Sequence, residues 1–144
     1  MATMDEVKQL AASEQGLCVV AMTRADGSVH ASVINAGPMA HPVTGDDVFA
    51  FVARGAARKV GLVSSCGRVS LTYRRGWQWA GVEGPAAVID ATNTPGDLDL
   101  PTLLRQIFTA AGGTHEDWDE FDRVMAAEGR VAVFVEPERF IGNG

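Results

Sequence analysis

The residues whose types are best suited to ligand binding or catalysis lie in one stretch, Val48–Val82, which contains no Asp or Glu. The protein carries a formal net charge of -6, yet this stretch holds half of its twelve Lys and Arg residues. They are Arg54, Arg58, Lys59, Arg68, Arg74 and Arg75. Fixed cations beside a glycine-containing turn are suited to binding a phosphate or a carboxylate. The stretch therefore predicts a local anion site on an otherwise acidic chain.

Two tryptophans, Trp77 and Trp79, follow these cations and could form a wall for a planar ring. Cations and rings together indicate a site for an anionic, planar cofactor. The alternative is a solvated basic turn beside two core tryptophans, since charged runs usually lie on the surface. The residue types alone leave both interpretations open.

Apolar alternation and β-branched residues predict six strands that would position these side chains. Their bounds are Leu17–Thr23, Val29–Gly37, Val48–Ala53, Arg68–Arg74, Trp77–Asp90 and Arg130–Val135. The dipeptide Asp26-Gly27 predicts a tight hairpin between the first two strands. The pair Gly84-Pro85 predicts a bulge or bend that interrupts the fifth. The basic turn would lie directly after the third strand.

Helical periodicity predicts short helices at Met4–Ser13 and Ala56–Ser64, and a pair of helices before the last strand. The first of that pair covers Leu103–Ala110, and the second begins with Thr114 as its N-cap. Short turns join most strands, so the sheet should be largely antiparallel, and closure into a small barrel would hide its edges. We therefore predict one domain over residues 1–144, mainly β (α+β), with short flanking helices.

Composition argues against several classes of function. A pI near 4.9 argues against general nucleic-acid binding, which needs a wide basic face. No apolar run reaches the ~20 residues of a membrane span. The N-terminal residues do not have the pattern of a signal peptide, so the expected location is the cytoplasm. Cys18 and Cys66 are far apart and predict neither a disulfide framework nor a zinc site.

Motifs for nucleotide binding, metalloprotease chemistry and serine nucleophiles are missing from the sequence. The histidines His30, His41 and His115 are scattered, so no metal site is predicted. The acidic segment Glu116–Asp122 lacks the spacing of a calcium loop. Any chemistry should therefore come from a bound cofactor that the protein orients.

Several segments follow one another in an order that is informative as a set. They are the Asp26-Gly27 hairpin, the strand with Ser32, the Arg58-Lys59 turn, Gly67–Leu71, Trp77–Gly84, His115–Asp119, Arg130–Pro137 and Phe140–Gly142. This order resembles the pyridoxamine 5′-phosphate oxidase-like superfamily. Within it, the sequence is most similar to the actinobacterial flavin/deazaflavin oxidoreductases that use coenzyme F-420. The resemblance covers nearly the whole chain.

This resemblance implies a six-stranded antiparallel split β-barrel and an obligate homodimer with two cofactor sites at its interface. The implied cofactor-binding residues are His30, Ser32, Val33, Ala53, Arg54, Arg58, Lys59, Trp77 and Trp79. Lys59 would contact the cofactor phosphate, supported by Arg58 and Arg54. The second strand and the end of the third would flank the ring system. Trp77 and Trp79 would line the site, either in their own subunit or across the dimer interface in the partner subunit.

The implied activity is hydride transfer from reduced F-420 to an electron-poor double bond of a small organic substrate. F-420 has a lactyl oligoglutamate tail, which would need a long cationic groove. Five basic residues offer more positive charge than one phosphate needs, which favours F-420 over FMN; they are Arg54, Arg58, Lys59, Arg74 and Arg75. The alternatives are an FMN-dependent oxidase or reductase, a non-catalytic flavin or F-420 carrier, and a haem-binding relative that would need a His ligand.

Overall fold

The computed structural model describes residues 2–143, which form seven strands and four helices. The strands are β1 (Leu17–Thr23), β2 (Val29–Ala40), β3 (Asp47–Arg54), β4 (Arg68–Arg75), β5 (Gln78–Ile89), β6 (Arg130–Val135) and β7 (Arg139–Gly142). The helices are α1 (Met4–Ser13), α2 (Arg58–Cys66), α3 (Leu100–Ala110) and α4 (Trp118–Ala127). None of these helices is long and apolar enough to cross a membrane.

Six of the strands close into an antiparallel barrel. Around it the order is β1, β2, β3, β6, β5 and β4, and β4 pairs back with β1. Closure pairs the edges that an open sheet would expose. The predicted six-stranded antiparallel barrel is thus confirmed. The seventh strand, β7, pairs with β5 and is not among the six strands predicted from the sequence.

Two long strands change partners midway, and this divides the barrel into two sheets. β2 pairs with β1 up to Asn35 and with β3 from Ala36. β5 pairs with β4 up to Pro85 and with β6 from Ala86. The predicted interruption at Gly84-Pro85 is wrong, because β5 continues through both residues. Proline lies where the strand passes from one neighbour to the next, and so its missing N–H is tolerated.

The two sheets differ in what covers their outer faces. The β3–β6 part is covered by α3 and α4, whose side chains Leu103, Ile107 and Phe121 pack against Ala50 and Phe134. Buried residues therefore run almost continuously along β3. The β1–β2–β4 part instead alternates between buried and exposed residues, because its outer face has no such cover.

Helix α4 begins later than predicted. The Asp117 side chain accepts hydrogen bonds from the N–H groups of Asp119 and Glu120, both at 3.1 Å, so Asp117 is the N-cap instead of Thr114. His115 Nδ1 accepts from the Asp117 N–H at 3.1 Å, which holds the preceding residues in a turn. Threonine and aspartate are both good N-caps, and the bond between His115 and the Asp117 N–H favours Asp117 over Thr114.

Candidate cofactor site

A cleft of about 540 Å³, here called the first cleft, lies between the barrel and the α3–α4 pair. Its barrel side carries three cations, Arg54, Lys59 and Arg130, and within residues 2–143 no Asp or Glu lines it. Its helical side is apolar and includes Phe108 and Phe121. The cleft thus combines a cationic rim with an aromatic wall.

The turn after β3 is held by the main chain. The Gly55 N–H donates to the Gly129 carbonyl at 2.8 Å, and the Ala57 N–H donates to the Arg54 carbonyl at 2.9 Å. A Cβ at position 55 would lie 2.9 Å from the Gly129 carbonyl, so only glycine allows this close approach. The turn therefore reaches the corner between α4 and β6 and directs the chain into α2.

Helix α2 begins in an unusual electrostatic setting. No side chain caps its first turn, which contains Arg58 and Lys59 but no acidic residue. The partial positive charge of a helix N-terminus disfavours cations and favours anions. Neither side chain has a carboxylate partner among residues 2–143. An anion bound here would relieve the repulsion between the cations and the helix end.

Arg54 has an acidic partner that the sequence analysis did not identify. Its Nη2 atom lies 3.1 Å from Glu128 Oε2, while Arg130 Nε donates to Glu128 Oε1 at 3.0 Å. The hydrogen bond from Arg130, together with the charges of both arginines, lowers the pKa of Glu128. One ionised carboxylate therefore bridges two cations of the first cleft.

A second cleft, of about 910 Å³, lies on the uncovered face of the barrel. It is lined by Arg74, Arg75, Trp77 and Trp79, and it shares Val33 with the first cleft. The Trp77 side chain is 94% exposed, which is exceptional for so large an apolar group. Cations and indole rings therefore do lie together, but at this second cleft.

The hairpin between β4 and β5, which carries both tryptophans, is fastened by Asn143. Its Oδ1 accepts from the Trp79 N–H at 2.9 Å, and its Nδ2 donates to the Trp77 carbonyl at 2.7 Å. The main chain of Asn143 also donates to the Trp79 carbonyl. This residue thus extends the pairing of β7 to the hairpin.

The same barrel face carries a row of directly paired residues that crosses five strands. The row is Val33, Val19, Thr72, Gly81 and Ile141. Both valines and the isoleucine are exposed. An exposed apolar sheet face of this kind commonly marks an interaction surface.

The structure brings together four of the nine predicted site residues. Val33, Ala53, Arg54 and Lys59 line the first cleft. Trp77 and Trp79 line the second cleft of the same chain instead. The predicted set is therefore divided between two clefts that share one valine.

The other three predicted residues line neither cleft. Arg58 is exposed beside the first cleft, whereas His30 and Ser32 are half-buried. His30 and Ser32 are paired with the buried Met22 and Val20 of β1 and share their face of the sheet. His30 Nε2 and Ser32 Oγ are buried and have no hydrogen-bond partner in the described part of the chain. A cofactor-binding role for these three stays a prediction.

Sequence reasoning missed Arg130, Glu128 and the helical wall of the first cleft. Arg130 is directly paired with Arg54 across β3 and β6. The sequence does place an arginine at the start of β6. That arginine can be assigned to the cleft only once the register between β3 and β6 is known. Phe108 and Phe121 lie in the helix pair predicted before Arg130–Val135, and helical periodicity explains their packing but not their second role in the cleft.

The sequence matches no protein-family model and no curated protein, but the fold matches solved structures. An F420 reductase is 13% identical, with a TM-score of 0.64 over 98% of each chain. A pyridoxamine 5′-phosphate oxidase-related, FMN-binding protein from Nostoc punctiforme is 7% identical, with a TM-score of 0.62 over 97% of this chain and 84% of that one. The heme storage protein HutZ from Vibrio cholerae is 13% identical, with a TM-score of 0.62 over 100% of this chain and 96% of that one.

These neighbours differ in what their names say they bind, and at such low identity the likeness concerns the fold. The resemblance seen in the sequence is confirmed at the level of the fold: the chain has the same split β-barrel fold as these solved structures.

Proposed function

We propose that this protein binds coenzyme F-420 in the first cleft and is an F-420-dependent reductase of small organic molecules. The start of α2 carries the proposal, because Arg58 and Lys59 stand there on a helix end that no side chain caps. The cofactor phosphate would satisfy both the helix dipole and the cations. Lys59, which lines the cleft, would make the main contact.

The wall opposite the rim fits a planar ring system. Phe108, Phe121 and Met125 present apolar surface across the cleft from Ala53 and Val33. Ligand sites commonly combine such apolar walls with a few polar groups that fix orientation. Reduced F-420 would supply the hydride for an electron-poor double bond, while these residues would bind the ring, orient it and exclude water.

The number of cations favours F-420 over FMN. One phosphate needs fewer positive charges than Lys59, Arg58 and the exposed Arg54 provide, while the oligoglutamate tail of F-420 adds several carboxylates. The F420 reductase among the fold neighbours supports this choice. FMN is the alternative cofactor, and the FMN-binding neighbour supports it.

We also propose that the protein is a homodimer. The row from Val33 to Ile141 supports a second copy of the chain as the partner on this face, because no helix within residues 2–143 covers it. Both clefts contain Val33, so a partner on this face would also adjoin the first cleft.

The test is a comparison of Lys59→Ala with Lys8→Ala. Lys8 pairs with Asp47 at 3.0 Å and lines neither cleft, so its variant makes the same change in charge elsewhere. Loss of a charge-assisted phosphate contact should weaken binding by about 1.5–3 kcal/mol, roughly a 10- to 100-fold rise in Kd. Quenching of F-420 and FMN fluorescence gives both affinities. In the same assay, Trp77→Ala tests whether the tryptophan of the second cleft contributes to binding.

Unchanged affinity in Lys59→Ala would move the site elsewhere. Tight FMN binding with no response to F-420 would overturn the choice of cofactor. Binding of reduced F-420 without its oxidation by any electron-poor alkene, lactone or quinone would favour a carrier over a reductase.

A further inference from the structure

The bridge made by Glu128 connects the two elements that meet at the first cleft. Glu128 follows the last turn of α4, and each of its carboxylate oxygens contacts a different arginine of the rim. The nearby main-chain bond from Gly55 to Gly129 fixes the same corner. The carboxylate is therefore held in place both by its partners and by the turn that precedes β6.

The two bridged arginines differ in how available they are to a ligand. The Arg54 side chain is 62% exposed, whereas that of Arg130 is 26% exposed. The Glu128 side chain is 30% exposed, so its negative charge lies near the surface where a ligand anion would bind, and it would repel that anion. A ligand carboxylate that approaches Arg54 must compete with Glu128 for the same guanidinium group. Lys59 has no such competitor among the described residues.

The bridge also sets the charge of the cleft. Arg54 and Arg130 contribute two positive charges, and Glu128 reduces their sum to one. Together with Lys59, the rim therefore carries two net positive charges when Glu128 is ionised, and three when that charge is removed. The difference acts on every anionic group that lies within about 10 Å, the Debye length at moderate ionic strength.

We infer that Glu128 is a specificity-determining residue of the first cleft, which limits how strongly the cleft binds anionic groups beyond the first phosphate. This inference rests on the proposed function, in which Lys59 takes the phosphate, and it assigns the carboxylates of the tail to the exposed Arg54. Glu128 acts through Arg54 and Arg130 and needs no contact with the ligand. Its removal should favour ligands with several negative charges over ligands with one phosphate.

The experiment compares Glu128→Gln with Glu138→Gln. Glu138 pairs with Arg68 at 2.7 Å and lines neither cleft, so both variants lose one carboxylate from a Glu–Arg pair. Each changes the formal net charge from -6 to -5. Affinities for F-420 and FMN are measured by fluorescence at low and at high ionic strength.

Glu128→Gln should bind F-420 about 2- to 5-fold more tightly than the parent protein, the range expected for an exposed ion pair. The gain should be smaller for FMN and should shrink at high salt, while Glu138→Gln should match the parent. Weaker F-420 binding in Glu128→Gln, or an equal gain in both variants, would overturn the inference.

Inorganic pyrophosphate separates this inference from the proposed function. A ligand that binds the folded state raises Tm, so the shift produced by pyrophosphate reports the charge of the rim without any cofactor. A larger shift in Glu128→Gln than in Glu138→Gln would support the role of Glu128 even if neither F-420 nor FMN binds. Equal shifts would contradict it even if F-420 binding proves correct.

Discussion

The Tyr73 hydroxyl donates a 2.7 Å hydrogen bond to the main-chain carbonyl of Ala36, and neither residue is accessible to solvent. Ala36 is the first residue of β2 that pairs with β3, so this bond connects β4 to the point where the barrel divides. It satisfies a polar group in the centre of the core, where an unpaired group would be costly.

Tyr73→Phe should therefore lower the free energy of unfolding by about 1–3 kcal/mol, because the buried carbonyl loses its partner. Urea unfolding followed by circular dichroism measures the change. The m-value should stay the same, since the fold and its buried surface are retained. A variant as stable as the parent would show that this bond contributes nothing.

Alkaline pH should destabilise the fold through Cys18. Burial raises the pKa of this thiol from 9.0 to about 12, and burial also raises the pKa of Tyr73. A raised pKa means that the folded state holds its proton more tightly, so stability is complete below pH 9 and falls as pH rises towards 12. Urea unfolding across this range should show the fall, and Cys18→Ala should make it shallower. A slope that is the same in both proteins would exclude Cys18 as its source.

Removing the Asn143 side chain should loosen the hairpin that carries the tryptophans. Asn143→Ala deletes the acceptor of the Trp79 N–H, so exchange of this amide with deuterium should become roughly tenfold faster if about 1.4 kcal/mol is lost. Asn143→Asp keeps the acceptor but loses the donor to the Trp77 carbonyl, and it should protect Trp79 better than alanine does. Equal exchange in all three proteins would refute the fastening role.

Two glycines should respond in opposite directions to replacement by alanine. A Cβ at Gly37 would collide with the Ala110 carbonyl at the end of α3, so Gly37→Ala should cost roughly 1–3 kcal/mol through overpacking. Gly61 lies within α2 and has no atom near its would-be Cβ, so Gly61→Ala should stabilise by about 0.5–1 kcal/mol. Thermal unfolding checks both, and a stabilised Gly37→Ala would contradict the close contact.

A charge on the exposed barrel face should prevent association of two copies. Val19→Lys places a cation in the middle of the paired row, whereas Val43→Lys makes the same change at an exposed position in the β2–β3 loop. Sedimentation equilibrium should show dimers for the parent and for Val43→Lys, and monomers for Val19→Lys. A parent protein that is monomeric at all concentrations would rule out the proposed dimer.

The strands were predictable because their pattern is local. Leu17–Thr23 and Arg130–Val135 have the predicted bounds, since β-branched residues and turn formers mark them in the sequence. The start of α4 was mispredicted because Thr114 and Asp117 are both good caps, and only the turn made by His115 selects between them. The continuity of β5 was missed because Gly84-Pro85 resembles a break when the partner strands are unknown.

The site was harder to predict than the fold, for a physical reason. Lys59 and Arg54 could be identified because a basic segment contrasts with an acidic chain. The bridging role of Glu128 depends on the register that places Arg54 opposite Arg130, and the residues alone do not encode that register. The separation of Trp77 from Lys59 depends likewise on which face of the sheet each strand presents.

The bond between Gly55 and Gly129 joins two segments through backbone atoms alone. Substitutions of nearby side chains would leave this hydrogen bond in place. The cationic residues of the rim could therefore change while the rim stays bonded to the end of the helical wall. A ligand that pulls on the rim would transmit that force directly to the end of α4. The binding of a ligand at the rim and the position of the helical wall are in this way mechanically linked through main-chain atoms.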